Sequence, residues 1–138
     1  MRYYLDTNVL IFILSDNQYE ISAVVSDILV DYANNFYVSS TAVQELILLH
    51  RIGKIKDKKY KSEENILREI KNSGIEIVFF NEHHFSRYIQ LKTIEKHKDM
   101  NDHAIIAQAI SDKIPIISAD HEFKNYISQG LNLVFNKR

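Results

Sequence analysis

Arg2-Tyr3-Tyr4-Leu5-Asp6-Thr7-Asn8-Val9-Leu10-Ile11-Phe12-Ile13-Leu14 is the stretch that decides the fold class. Residues 2–5 form a short aromatic and aliphatic run, the pattern of a buried strand, and Asp6 closes it. Residues 9–14 then continue as an apolar helical segment. A strand passing straight into such a helix opens a strand–helix unit, and the unit recurs down the chain. Residues 36–39, 75–79, 114–118 and 131–135 also read as strands. Helical patterns fill the intervals at 22–33, 41–52, 62–73, 82–96, 102–112 and 121–129. Strands that are nearly continuous apolar runs, alternating with helices, indicate a parallel sheet covered on both faces. The expected class is α/β, with a central parallel sheet of about five strands and helices on both faces.

Punctuation agrees with this division: Thr41 with Gln44 three residues on forms a capping-box pattern, and Asn81 and Asn101 read as N-caps. Gly53, Gly74 and Gly130 each follow a helical segment, where a left-handed turn ends a helix. Pro115 lies near the start of a strand, a tolerated place for it. No linker, repeat or low-complexity tract interrupts the 138 residues, so one domain over 1–138 is expected. With 46% hydrophobic and 25% charged residues the chain is not disordered. A net charge of −1 excludes a uniformly basic nucleic-acid binder, though not a basic surface beside an acidic pocket. The lack of cysteine excludes disulfide frameworks, thiolate zinc sites and cysteine nucleophiles, and fits a reducing compartment. Residues 9–14 are too short a run for a membrane span of about 20 residues. Asp6 and Asp16 flank them, which makes a poor signal peptide, so a cytoplasmic protein is expected.

Four of the eighteen acids stand out. Asp6 ends the first strand and Asp120 follows the fourth, and ligands of open parallel sheets bind outside the carboxyl ends of strands. Capping of the following helix is the plainer role for each. Glu45 falls among Ala42, Val43, Leu46, Leu48 and Leu49 in a helix that is apolar nearly all round and so expected to be buried. Its carboxylate there is costly unless paired, by a salt bridge, at a pocket rim or by a metal. Asp102 occupies the first turn of a buried-looking helix, a favourable place for any acid. Together, four converging carboxylates repel one another unless some are protonated or a divalent cation sits among them. Oxygen ligands, with no cysteine and no spaced histidine pair, suit Mg²⁺ or Mn²⁺ better than zinc. Such ions polarise a phosphoryl oxygen and orient an in-line attack, which suggests phosphodiester hydrolysis.

At these positions the sequence resembles the PIN-domain ribonucleases, specifically the VapC-type toxins of bacterial toxin–antitoxin pairs. The matching pieces are Leu5-Asp6-Thr7-Asn8-Val9-Leu10, Ser40-Thr41-Ala42-Val43-Gln44-Glu45-Leu46, Asn101-Asp102-His103-Ala104-Ile105-Ile106-Ala107 and Ser118-Ala119-Asp120-His121-Glu122-Phe123. They occur in the family's order across almost the whole chain. The resemblance implies a Mg²⁺-dependent endoribonuclease whose acidic pocket is Asp6, Glu45, Asp102 and Asp120, with Asp6, Asp102 and Asp120 on the metal. It implies Thr7, Asn8 and Ser118 as supporting polar contacts, a homodimer, and a cognate antitoxin that inserts a segment near the pocket. Asp99 matches a frequent family acid, a candidate either for the pocket or for ordering the preceding loop. His103 stands where many relatives carry arginine.

Between Arg51 and Lys61, Lys54, Lys56, Lys58 and Lys59 stand in a strongly basic stretch, read either as a solvated connection or as an RNA-binding rim. His83 and His84 read as a surface helix start; His50, His97 and His121 carry no assignment. Two other classes fit less well. A phosphoacceptor signalling domain wants paired acids after the first strand, and a haloacid-dehalogenase-like phosphatase wants an Asp two residues after Asp6, where Asn8 stands. A PIN nuclease outside toxin systems, or a silent RNA- and metal-binding module, are the alternatives within the family.

Overall fold

The computed structural model describes residues 1–15, 17–55 and 62–138. Five parallel strands, β1 (Arg2–Leu5), β2 (Asn35–Ser39), β3 (Ile75–Val78), β4 (Ile116–Ser118) and β5 (Leu133–Phe135), form one sheet in the order β3-β2-β1-β4-β5. The α/β class with a parallel sheet is therefore as expected. β1 is central, flanked by β2 and β4, and its Tyr4 and Leu5 are almost inaccessible. It pairs Tyr4 with both Tyr37 of β2 and Ile116 of β4.

Between the strands run α1 (Thr7–Leu14), α2 (Ala23–Val30), α3 (Ser40–Arg51), α4 (Glu63–Asn72), α5 (Glu82–Gln90) and α6 (Met100–Asp112). Two 3₁₀ segments, Gln18–Glu20 and His121–Gln129, complete the described elements. The chain moves outward from β1 to β2 to β3, then crosses back to β4 on the other side of β1. Right-handed crossovers on a path that reverses direction place helices on both faces. α1 packs on α3 and α3 on α4, while α5 packs on α6. α6 is deeply set, with Ile105, Ile106, Ala107, Ala109 and Ile110 all buried. No described helix is long and apolar enough to cross a membrane.

Gly53, Gly74 and Gly130 all have positive φ, as their places after helical segments predict. Several boundaries shift for local reasons. The helix expected at 82–96 stops at Gln90, since Leu91 turns extended (φ −66°, ψ 125°) and residues 91–99 become a loop. The segment at 121–129 is 3₁₀ rather than α. α3 begins after Ser39, whose hydroxyl accepts from the Thr41 N–H, so the expected Thr41–Gln44 capping box is not what starts it. Asn81 does cap α5 as expected, and His84 completes its capping box. That role buries His84 at 1% exposure, against its surface reading, while His83 is exposed at the start of the helix as expected.

Candidate metal centre

The sheet order reverses between β1 and β4, and both strands end in acids. Such a reversal leaves a crevice beyond the carboxyl ends of the strands, because the connecting helices diverge to opposite faces. Asp6 leaves β1 into α1 and is 2% exposed. One carboxylate oxygen accepts from the Thr7 N–H at 2.8 Å, capping α1, and the other accepts from Ser118 Oγ at 2.7 Å. Capping and pocket placement thus coexist in one side chain. Ser118, the last residue of β4, is fully buried and also accepts from the Asp120 N–H at 3.0 Å. It ties the two strand-end acids together. Asp120 in turn caps the 3₁₀ segment through the Glu122 N–H at 2.9 Å.

Asp102 reaches the same place from the first turn of α6, with 9% exposure. The cap of α6 is Asp99, which accepts from the Asn101 and Asp102 N–H groups at 3.0 and 3.1 Å. Asn101, expected as that cap, instead donates its amide to Glu45 Oε2 at 3.0 Å. Glu45 is half-buried at the rim. α3 is not buried all round: Gln44 and Leu48 are exposed, and only Ala42, Val43 and Leu46 are buried. Its apolar excess exceeds what one face of a helix on a sheet can cover.

Oxygen atoms of Glu45, Asp99 and Asp102 lie within 4.8 Å of one another, as do donor atoms of His97, Asp102 and Asp120. Asp102 belongs to both groups and is the hub. Exposed Asp99 therefore both orders the loop end and joins the cluster. Burial pushes the Asp6 carboxyl up to about 8, and the nearby Asp102 and Glu45 charges add to it, against the bond from Ser118. Asp102 is likewise raised to about 8, by burial first and then by Asp99, Asp120 and Glu45. Burial and the neighbouring carboxylates together disfavour the charged form of both acids, and a cation among them would favour it. The donor set of carboxylate oxygens fits a hard divalent cation, and buried Thr7 Oγ1 has no hydrogen-bond partner among the described residues. Asn8 sits half-buried in the first turn of α1.

His97 carried no sequence signal and yet is the imidazole of this site. It is buried in the 91–99 loop, with Nε2 2.9 Å from Asp102 Oδ2 and Nδ1 2.8 Å from Tyr126 Oη. His103, also buried, donates Nε2–H to the His97 carbonyl at 2.9 Å. Burial, then the His97 ring, hold His103 below the ordinary histidine range. His103 thus braces the loop that carries His97. A groove of about 500 Å³, lined by residues including Thr41, Gln44, Phe80, Phe85, Tyr88 and Asn101, adjoins the Glu45 side. Lys54 is exposed beyond α3; Lys56, Lys58 and Lys59 lie outside the described residues.

The family model described as "PIN domain" matches residues 3–127. Comparison with curated proteins by sequence finds no match. Among solved structures, the chain is similar to VapBC2 from Rickettsia felis bound to a promoter DNA fragment, with TM-score 0.70 and 22% identity over 99% of this chain and 100% of that one. It is similar to VapBC-1 from nontypeable Haemophilus influenzae, with TM-score 0.67 and 22% identity over 98% of each chain. DNA-bound VapBC from Salmonella typhimurium aligns at TM-score 0.70 and 18% identity, again over 98% of each chain. At these identities the likeness is one of fold.

Proposed function

The chain belongs to the PIN domain family, and on that premise we propose that it is a metal-dependent endoribonuclease acting as the toxin of a type II toxin–antitoxin pair. One observation carries the reading: Asp6, Asp102 and Asp120 converge at the reversal of the sheet, with Asp6 and Asp102 raised to about 8 by burial and, after it, by the neighbouring carboxylates. Asp6, Asp102 and Asp120 would hold Mg²⁺, or Mn²⁺ in its place. When bound, the ion polarises the scissile phosphoryl group.

The protein's own groups supply the rest. Ser118 keeps Asp6 and Asp120 in register by bonding to both. Asn101 steadies Glu45 at the solvent-facing rim, and Glu45 is assigned the proton of the attacking water. Asp99 restrains the start of α6, so that Asp102 keeps its place. Thr7 and Asn8 are supporting contacts beside Asp6, and the lysines of residues 54–59 guide RNA. The structures resembled are toxin–antitoxin complexes, two of them on DNA. By that analogy this chain is neutralised by a small DNA-binding antitoxin, and the proposal takes it as a single-domain homodimer in the cytoplasm.

The test is cleavage of a single-stranded RNA pool with Mg²⁺ or Mn²⁺ and with EDTA. Activity that survives EDTA, or survives Asp6→Asn, rejects the reading. RNA and metal bound without cleavage would instead mark a silent module.

A further inference from the structure

We propose that His97 is a positioning residue that presents Asp102 to the divalent cation, and that Tyr126 in turn fixes the tautomer of His97; the inference rests on the metal-dependent reading above. The loop carrying His97 and the 3₁₀ segment carrying Tyr126 are brought together over 29 residues of sequence. Tyr126 is fully buried and His97 is 6% exposed, so neither bond competes with bulk water.

The proton directions follow from the donors. The Ile94 N–H donates to Tyr126 Oη at 3.2 Å. Tyr126 has its own proton to place, and His97 Nδ1 lies 2.8 Å away. An Nδ1 that accepts leaves the ring proton on Nε2, which faces Asp102 Oδ2 at 2.9 Å. Every donor in the chain therefore points from the backbone towards the acid. The His103 bond to the His97 carbonyl holds the loop, and the two rings meet edge to face at 4.8 Å between centroids.

Asp102 needs such a hold. Asp99, Asp120 and Glu45 all bear on its carboxylate as like charges, and an unrestrained side chain would turn away from them. A buried N–H on Oδ2 commits that oxygen and leaves Oδ1 for the ion. Outer-shell bonds of this kind set the orientation of ligands and are worth about 10–100-fold in metal affinity. The competing arrangement has His97 Nε2 as a direct ligand beside Asp102 and Asp120, whose donor atoms lie within 4.8 Å of it. That arrangement requires Nε2 to give up its proton and Nδ1 to donate to Tyr126. The two differ in tautomer.

The experiment is calorimetric titration of Mn²⁺ into the full chain without RNA, for the native protein, His97→Ala, His97→Gln and Tyr126→Phe. His97→Ala should bind about 10–100-fold more weakly. His97→Gln, which keeps an N–H donor of similar reach, should recover most of the loss, and Tyr126→Phe should fall between. In parallel, ¹⁵N NMR of the metal-free and Mg²⁺-bound native protein should show His97 as the Nε2–H tautomer. Should His97→Ala fail to fold, the Gln and Phe variants and the native tautomer still decide. Equal Mn²⁺ affinity in native and His97→Ala proteins overturns the inference alone. So does an Nδ1–H tautomer, or a ¹⁴N coupling from imidazole in the Mn²⁺ spin-echo spectrum. A native protein that binds no Mn²⁺ overturns the metal reading and this inference with it.

Discussion

Asp6 and Asp102 hold their protons up to about pH 8 in the folded, metal-free protein, whereas an unfolded chain releases them near the ordinary value of about 4. Between those limits the folded state binds more protons than the unfolded one. Linkage then requires stability to fall as pH rises from about 4 to about 8, and to level off beyond. Melting in EDTA should follow that decline. Mg²⁺ or Mn²⁺ should reverse it at pH 8, because the cation replaces the protons, and metal affinity should rise over the same range. Asp6→Asn, which removes the buried ionisation, should flatten the decline and raise the pH 8 melting temperature of the metal-free protein by a few degrees, at about 4 °C per kcal/mol for this size. A native melting temperature that does not fall between pH 5 and pH 8 in EDTA would show that the two acids are not so perturbed. Cleavage should respond oppositely: Asp6→Asn and Asp102→Asn should each lose at least about 100-fold, more than the loss of an outer partner.

At the scale of elements, α5 and α6 are joined by a buried polar link rather than by apolar contact alone. His84 Nδ1 accepts the Asn81 N–H, and Nε2–H donates to Asp112 Oδ1 at 2.9 Å. Tyr4 of β1 donates to the other oxygen of Asp112 and receives the Gln108 amide. One acid thus fastens α6 to both α5 and the central strand. His84→Ala should cost about 1–3 kcal/mol by leaving buried polar groups unsatisfied, read as a lower urea midpoint, while Mn²⁺ affinity stays at the native level. An unchanged midpoint would mean that the link carries no net stability. This bond also shows what a linear sequence conceals. The strands and the strand-end acids Asp6 and Asp120 are legible because period, run length and punctuation are local signals. Asp102 is legible through its order relative to them. The burial of His84 and His97 depends on partners 28 and 29 residues away, and no neighbouring residue announces those partners. Glu45 illustrates the opposite error: α3 is apolar enough to look buried, but the sheet covers only one face of it. Asp99 is legible in the sequence only as a family position; its bonds to the α6 N-terminus define its place.

Across the whole molecule, near-zero net charge conceals a separation of signs. Asp6, Asp102 and Asp120 gather where the sheet order reverses, and a basic run occupies residues 51–61 of the sequence. A polyanion approaching the acidic pocket meets repulsion that a cation there reduces only locally, so on the proposed reading the lysines of residues 54–59 would serve binding rather than chemistry. Lys54 is exposed at the start of that run. The clustering of basic residues in the sequence makes a prediction at this scale. On the Asp6→Asn background, where cleavage is off, binding of a single-stranded RNA oligonucleotide should weaken steeply with salt. Replacing Lys54, Lys56, Lys58 and Lys59 with glutamine should shallow the log–log slope by about 0.7 for each phosphate the lysines no longer neutralise. Mn²⁺ affinity in the same variant should stay at its unsubstituted level, because the lysines are not ligands. Fluorescence anisotropy across a salt series separates the two readings of the run. A reduced slope makes it an RNA-guiding rim, and an unchanged slope makes it a solvated connection whose charge serves solubility alone.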